Sequence, residues 1–141
     1  LGQREQQRGL QERALKVQEQ HYGKDHVQVA HTLADLGNAY GALGQPEQQK
    51  KMQERALKIQ EQHFGSDHAE EVRTLAGLGS AFGALGQYEQ QKEMLERALE
   101  IQEQHFGKDH VEVATTLVSL GSAYGALGQP EKQKEMLERA L

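Results

Sequence analysis

The chain has no cysteine and no tryptophan, only two prolines, and aromatic residues at just 5% of its 141 positions. Without cysteine there is no disulfide framework, no thiolate zinc site and no thiol nucleophile. No apolar run approaches the roughly 18 residues that a membrane span needs. Positive charge is also short, with 16 Lys and Arg against 21 Asp and Glu and a net charge of −5. That balance lacks the basic face that binds nucleic acid or anionic lipid. The opening Leu1-Gly2-Gln3-Arg4 reads as neither a leader peptide nor a translation start, so we expect a piece of a longer protein, cytoplasmic in location.

Strong hydrophobes are scarce as well. Leu, Ile, Val and Phe together number 29, against 20 glutamines. A chain so rich in polar residues lies close to the compositional border of disorder. Its periodicity places it on the folded side. Gly2-Gln3 returns as Gly44-Gln45, Gly86-Gln87 and Gly128-Gln129, a period of 42 residues. Segments 44–85 and 86–127 share 30 of 42 positions, and segments 2–43 and 86–127 share 29. Both ends fall inside a repeat, which predicts a window on a longer array.

Each period carries two helical patterns. One covers residues 46–63, 88–105 and 4–21. Pro46 and Pro130 sit in its first turn, where a missing N–H costs nothing. Met94, Ala98, Ile101 and His105, widened by Leu95 and Leu99, mark its buried face, and Gly65 and Gly107 suit a left-handed position after its end. The other pattern follows Asp25, Asp67 and Asp109, each with Glu or Gln three residues on, so these aspartates are predicted N-caps. Val111, Ala114, Leu117, Leu120, Gly121, Tyr124 and Leu127 form its apolar stripe. Glycines interrupt this helix at 37 and 41, 79 and 83, and 121 and 125. Each costs roughly 1 kcal/mol against alanine, a cost that close helix–helix approach would offset. Since no strand-like alternation appears, the predicted class is all-α.

Leu117-x-x-Leu120-Gly121-x-Ala123-Tyr124, Gly128 and Leu137-x-x-Ala140-Leu141 resemble the tetratricopeptide (TPR) repeat, whose 34-residue unit reads Trp-x-x-Leu-Gly-x-x-Tyr and onward. Leu33, Leu75 and Leu117 take the tryptophan place. The longer unit is similar to the 42-residue, kinesin-light-chain-like kind. The family's small alanine is Gln49, Gln91 and Gln133 here, and its aromatic place holds Gln53, Leu95 and Leu137. The resemblance implies an α-solenoid, a right-handed superhelix of antiparallel helix pairs. In that frame 3–25 is a lone second helix, 26–67 and 68–109 are full repeats, and 110–141 is a third, shortened one.

The resemblance also implies a concave, peptide-binding wall on the first helix of each repeat, at His31, Ala34 and Asn38; Arg73, Ala76 and Ser80; and Thr115, Val118 and Ser122. Alanine and valine stand where some relatives carry carboxylate-clamping lysines. Asn38 and Arg73 remain as the polar grips. The leading expectation is therefore a non-enzymatic scaffold holding a peptide or helix of another protein, with no cofactor. Self-association of the repeats, by head-to-tail stacking or end-helix exchange, is the alternative. A weaker one is a metal- or pH-responsive role for the joints, where His63, Asp67 and His68, or His105, Asp109 and His110, form three-ligand sets. The competing reading of the joints is an Asp cap with histidines completing the turn's hydrogen bonds. Glu-rich stretches read as solvated helix faces with i, i+4 pairs such as Glu93–Arg97 and Glu135–Arg139. No nucleophile–base set or phosphate loop is visible.

Overall fold

A computed structural model describes residues 2–65, 68–107 and 110–141. It consists of α1 (Gly2–Tyr22), α2 (Val27–Ala42), α3 (Pro46–Phe64), α4 (Glu71–Ala84), α5 (Tyr88–Phe106), α6 (Val111–Ala126) and α7 (Pro130–Ala140). There is no strand among the described residues. Each helix packs on its neighbours in chain order, and α2 also touches α4 across the repeat boundary. The odd-numbered helices thus form one layer and the even-numbered ones a second.

The hydrophobic core is divided to match. One cluster joins α1, α2 and α3 through Leu15, Val29, Leu33, Leu36, Ala56 and Ile59. A second joins Leu57, Leu75, Leu78, Ala98 and Ile101, and a third Leu95, Leu99, Val113, Leu117, Leu120 and Met136. No helix pair buries enough surface alone; each cluster borrows from the next unit, which is how a repeat array becomes stable. The predicted stripes need two amendments. His105 is exposed, and Val111 is 70% exposed while Val113 is fully buried, because α6 begins at Val111 and the first inward position comes two residues later.

Polar contacts between repeats follow the same period. Arg55 donates to Glu19 at 3.3 Å, and Arg139 to Glu103 at 2.5 Å. Arg97 meets Glu61 at 3.8 Å and also donates to Glu71 at 3.2 Å. The i, i+4 pairing expected for Arg97 and Arg139 is thereby replaced. These arginines lie on the side of their helices that faces the preceding repeat, where a guanidinium reaches a carboxylate 36 residues earlier. Tyr40 donates to Glu12 at 2.5 Å and Tyr124 to Glu96 at 2.8 Å, again one repeat back.

The even-numbered helices end in a left-handed glycine. At Gly128, with φ of 73°, Gln129 N–H reaches Tyr124 O at 2.9 Å and Gly128 N–H reaches Gly125 O at 3.1 Å. This pair of bonds satisfies the last carbonyls and reverses the chain into α7.

The N-caps are a correction. Histidine takes the role predicted for aspartate. His26 precedes α2 with extended backbone, and its Nδ1 accepts from Gln28 N–H at 3.1 Å. His110 does the same with Glu112 N–H at 3.2 Å, ahead of α6. His68 Nδ1 accepts from Glu70 N–H at 3.2 Å, but α4 begins only at Glu71, and Glu70, which precedes it, makes no side-chain cap bond. The imidazole nitrogen sits one residue nearer the helix than Asp25 and needs no reversal of the chain to reach the free N–H groups. Asp67 and Asp109 lie outside the described residues.

Candidate functional site: the concave wall

The interior glycines of the even-numbered helices answer to specific side chains. A Cβ on Gly41, Gly83 or Gly125 would lie 2.7, 2.5 or 2.7 Å from the carboxamide of Gln49, Gln91 or Gln133 respectively. Glycine and glutamine have thus exchanged size across the helix pair: the bulk lost on one helix is supplied by the other. Gln53 is the extreme case. It is fully buried between Gly37 and Gly77, and its Nε2 donates to Asn38 Oδ1 at 2.9 Å and to Ala34 O at 3.2 Å.

That network alters the expected wall. Asn38 is half-buried and its oxygen is committed to Gln53. Arg73 is exposed, but its guanidinium is bound to Asp35. The two residues read as peptide grips are therefore already engaged in joining α2 to α3 and α4 to α2. Ala34 is buried at 4% exposure.

Two clefts collect most of the other predicted positions. One, of 410 Å³, brings together Ala76 and Ser80 from α4 and Thr115 and Ser122 from α6, with Tyr88 at its edge. Its lining holds no charged side chain. The hydroxyls of Thr115 and Ser122 turn back to Val111 O and Val118 O at 3.4 and 3.3 Å, so their methyl and methylene groups contribute as much as their oxygens. The second cleft, of 340 Å³, gathers His31, Ala34 and Arg73 with Gln60, Thr74 and Phe106. Val118 belongs to neither. It lines an open, apolar recess on α6 and α7 with Leu137 and Leu141.

Tyr88 was not foreseen. It stands where 46 and 130 carry proline and 4 carries arginine, and an aromatic at that first-turn position was the available signal.

At the joints, His26, His68 and His110 are each stacked on the aromatic ring four residues earlier. Tyr22 and His26 are 4.6 Å apart, Phe64 and His68 4.5 Å, and Phe106 and His110 4.8 Å. Because each Nδ1 receives a backbone N–H, the three histidines present only Nε2 outward. No grouping of three or more metal-ligating side chains occurs among the described residues. Of the proposed ligands, His63 and His105 are exposed at helix ends and Asp67 and Asp109 are outside the described residues.

Two phenols are perturbed. Tyr124 is pushed up to about 12, first by burial and then by its hydrogen bond to, and the charge of, Glu96. Tyr40 is raised by burial and by Glu12 in the same way. Neither phenol lines either cleft, so both serve the packing of repeats.

Known proteins share this arrangement. The tetratricopeptide repeat profile matches residues 1–62, 50–104 and 90–141. The nearly identical TPR-like repeats of a kinesin-light-chain-type protein from Podosopora anserina, seen in a crystal structure, superpose with a TM-score of 0.90 at 27% identity. That match covers 99% of this chain and 66% of the other. BtubC (BKLC) of P. vanneervenii gives 0.90 at 23% identity over 99% of this chain and 56% of its own. The TPR domain of Arabidopsis FLU gives 0.69 at 18% identity, over 79% and 90%. A comparison with curated proteins finds no match. The chain thus spans just under two thirds of the first of these structures and little more than half of the second. A profile matched three times in overlapping register, on helices stacked as described, settles the lineage: this chain belongs to the tetratricopeptide repeat family.

Proposed function

We propose that the chain is a non-enzymatic scaffold whose concave wall holds a peptide or helix of another protein, seated in the cleft between α4 and α6. TPR repeats are in general protein-interaction scaffolds, and the observation that carries the finer reading is the convergence of Ala76, Ser80, Thr115 and Ser122 on one uncharged cleft rimmed by Tyr88. Small side chains let a partner's backbone come close, and an aromatic rim supplies area at little entropic cost. With no carboxylate or cation in the lining, recognition falls on an apolar side chain of the partner. Panning a peptide library against the chain, then remeasuring affinity with Ser80→Arg and Ser122→Arg, tests this. Both positions are exposed, so the variants keep the fold while filling the cleft. Peptides that bind the variants as tightly as the parent would remove the cleft from consideration.

Self-association is a second reading with its own support. Leu10 and Val17 on α1 are each 64% exposed and Leu137 on α7 is 40% exposed. The repeat equivalents of Val17, Ile59 and Ile101, are 3% and 1% exposed; Leu95, the equivalent of Leu137, is 3% exposed, and Met136, an equivalent of Leu10, is 8% exposed. Sedimentation velocity over a wide concentration range decides it: a constant monomer mass excludes it, and a rising mass that Val17→Lys abolishes supports it.

A further inference from the structure

One stripe of α1 faces solvent where its repeat counterparts face the core. Leu10, Arg13, Ala14 and Val17 follow i, i+3, i+4, i+7 spacing along one side of the helix, and all four are exposed. At the matching positions Met136 is mostly buried, Ala56 and Ala98 are fully buried, and so in effect are Ile59 and Ile101. Those side chains pack against the even-numbered helix before them: Ala56 and Ile59 with Leu33 and Leu36 of α2, Ala98 and Ile101 with Leu75 and Leu78 of α4. Arginine follows the same rule. Arg55, Arg97 and Arg139 each reach a glutamate one odd-numbered helix back, whereas their counterpart Arg13 meets no carboxylate among the described residues. The stripe therefore holds both parts, apolar centre and arginine, of the face that elsewhere docks on an even-numbered helix with a glutamate beside it.

We propose that this face receives α6 of a second copy of the chain, α1 of one copy taking the place that α7 holds in the other; the proposal deepens the self-association reading above and rests on it. Arg13 then bonds Glu103 of the second copy, as Arg139 does within one chain. α7 is the shortest helix, with 11 residues against 21 in α1, and Met136 is its one buried residue. Segment 4–15 matches 130–141 at six of twelve positions, Glu12, Arg13, Ala14 and Leu15 among them. The exchange returns Leu10 and Arg13 for Met136 and Arg139, and it adds Val17, for which α7 has no counterpart. It also keeps the period, since α6 is followed by α1 and α2 of the next copy just as α4 is followed by α5 and α6. Plain stacking of α7 on α1 would set two odd-numbered helices side by side, and none of the principal helix contacts in the chain is of that kind. The contact is heterologous, so copies add head to tail.

The test is sedimentation velocity of the intact chain, of Arg13→Glu, of Glu103→Arg and of an equimolar mixture of the two variants. The parent's mass should rise with concentration. Arg13→Glu sets two carboxylates together at the junction and Glu103→Arg two guanidinium groups, so each variant alone should need about tenfold more protein to associate. In the mixture every junction between unlike copies joins opposite charges, and association should return to the parent's level. A variant that associates as the parent does, or a mixture that stays monomeric, overturns the exchange. The self-association reading fails separately: association that Val17→Lys abolishes but Arg13→Glu leaves untouched removes the exchange alone, whereas a parent of constant monomer mass removes both.

Discussion

The same substitution at one repeat position, made three times, separates helix propensity from packing. Gly37, Gly79 and Gly121 occupy equivalent places in α2, α4 and α6. Replacing an interior helical glycine with alanine gains about 1 kcal/mol wherever space permits. Space differs in the three copies. At Gly121 a new Cβ would meet Leu137 at 3.5 Å, ordinary contact with a side chain on the exposed face of α7. At Gly79 it would meet Leu95 at 3.1 Å, close enough that the leucine must shift slightly. At Gly37 it would lie 2.8 Å from Gln53 Nε2 and 3.0 Å from its Cδ, and that side chain is fully buried and held by two hydrogen bonds. Gln53 also cannot retreat from α2, because Gly77 sits opposite with a virtual Cβ distance of 2.6 Å. Overpacking of a fixed core costs about 1–3 kcal/mol. Gly121→Ala should therefore stabilise by up to about 1 kcal/mol, Gly79→Ala should be near neutral, and Gly37→Ala should destabilise by about 1 kcal/mol net. Urea melts of the three variants measure this, analysed with a nearest-neighbour repeat scheme where the transition is not two-state. Adding Gln53→Leu to Gly37→Ala gives position 37 the environment of Gly79 and should recover most of the loss. A Gly37→Ala variant as stable as Gly121→Ala would refute the size-exchange argument.

Three further outcomes are expected. His26→Ala removes the α2 cap and should cost about 1 kcal/mol, with His26→Asn restoring most of it by thermal melting, since asparagine also accepts from the N–H two residues on. Because the folded state raises the Tyr124 phenol to about 12, its stabilising contribution is complete below the unfolded value of about 10 and is lost as pH rises from there toward 12. Melting temperature should therefore fall across that window in the parent and fall less in Tyr124→Phe, the residue the middle repeat already uses at Phe82. Arg97→Met should destabilise more than Arg55→Met, by about 3 against about 1 kcal/mol, because Arg97 serves the fully buried Glu71 whereas Arg55 serves the partly exposed Glu19; equal urea midpoints would contradict that.

How much was legible in the sequence depended on whether a feature repeats. The 42-residue period, the helix pair within it and the left-handed glycines at 65 and 107 follow from local rules: apolar spacing, proline at a first turn, and glycine where φ is positive. The size exchange between Gly41 and Gln49 was half visible. Glycine inside a helix announced a close approach, but which side chain approached required the partner helix. The caps were misassigned because Asp25 satisfies capping-box spacing and the competing acceptor on His26 depends on backbone dihedrals that spacing alone does not fix.

The wall residues show the same division. By itself the sequence determined the helices, their repeat and their stacking order, because these are set by the i, i+3 and i, i+4 neighbours each residue carries along its own segment. Only the tertiary structure decided that Asn38 belongs to Gln53, that Arg73 belongs to Asp35, and that Thr32 bonds Gln18 and Thr116 bonds Gln102 while Thr74 and Gln60 stand apart. Those outcomes turn on side-chain hydrogen bonds between segments 14 to 38 residues apart, and hydrogen bonds depend steeply on distance and angle, which hydrophobic periodicity does not register.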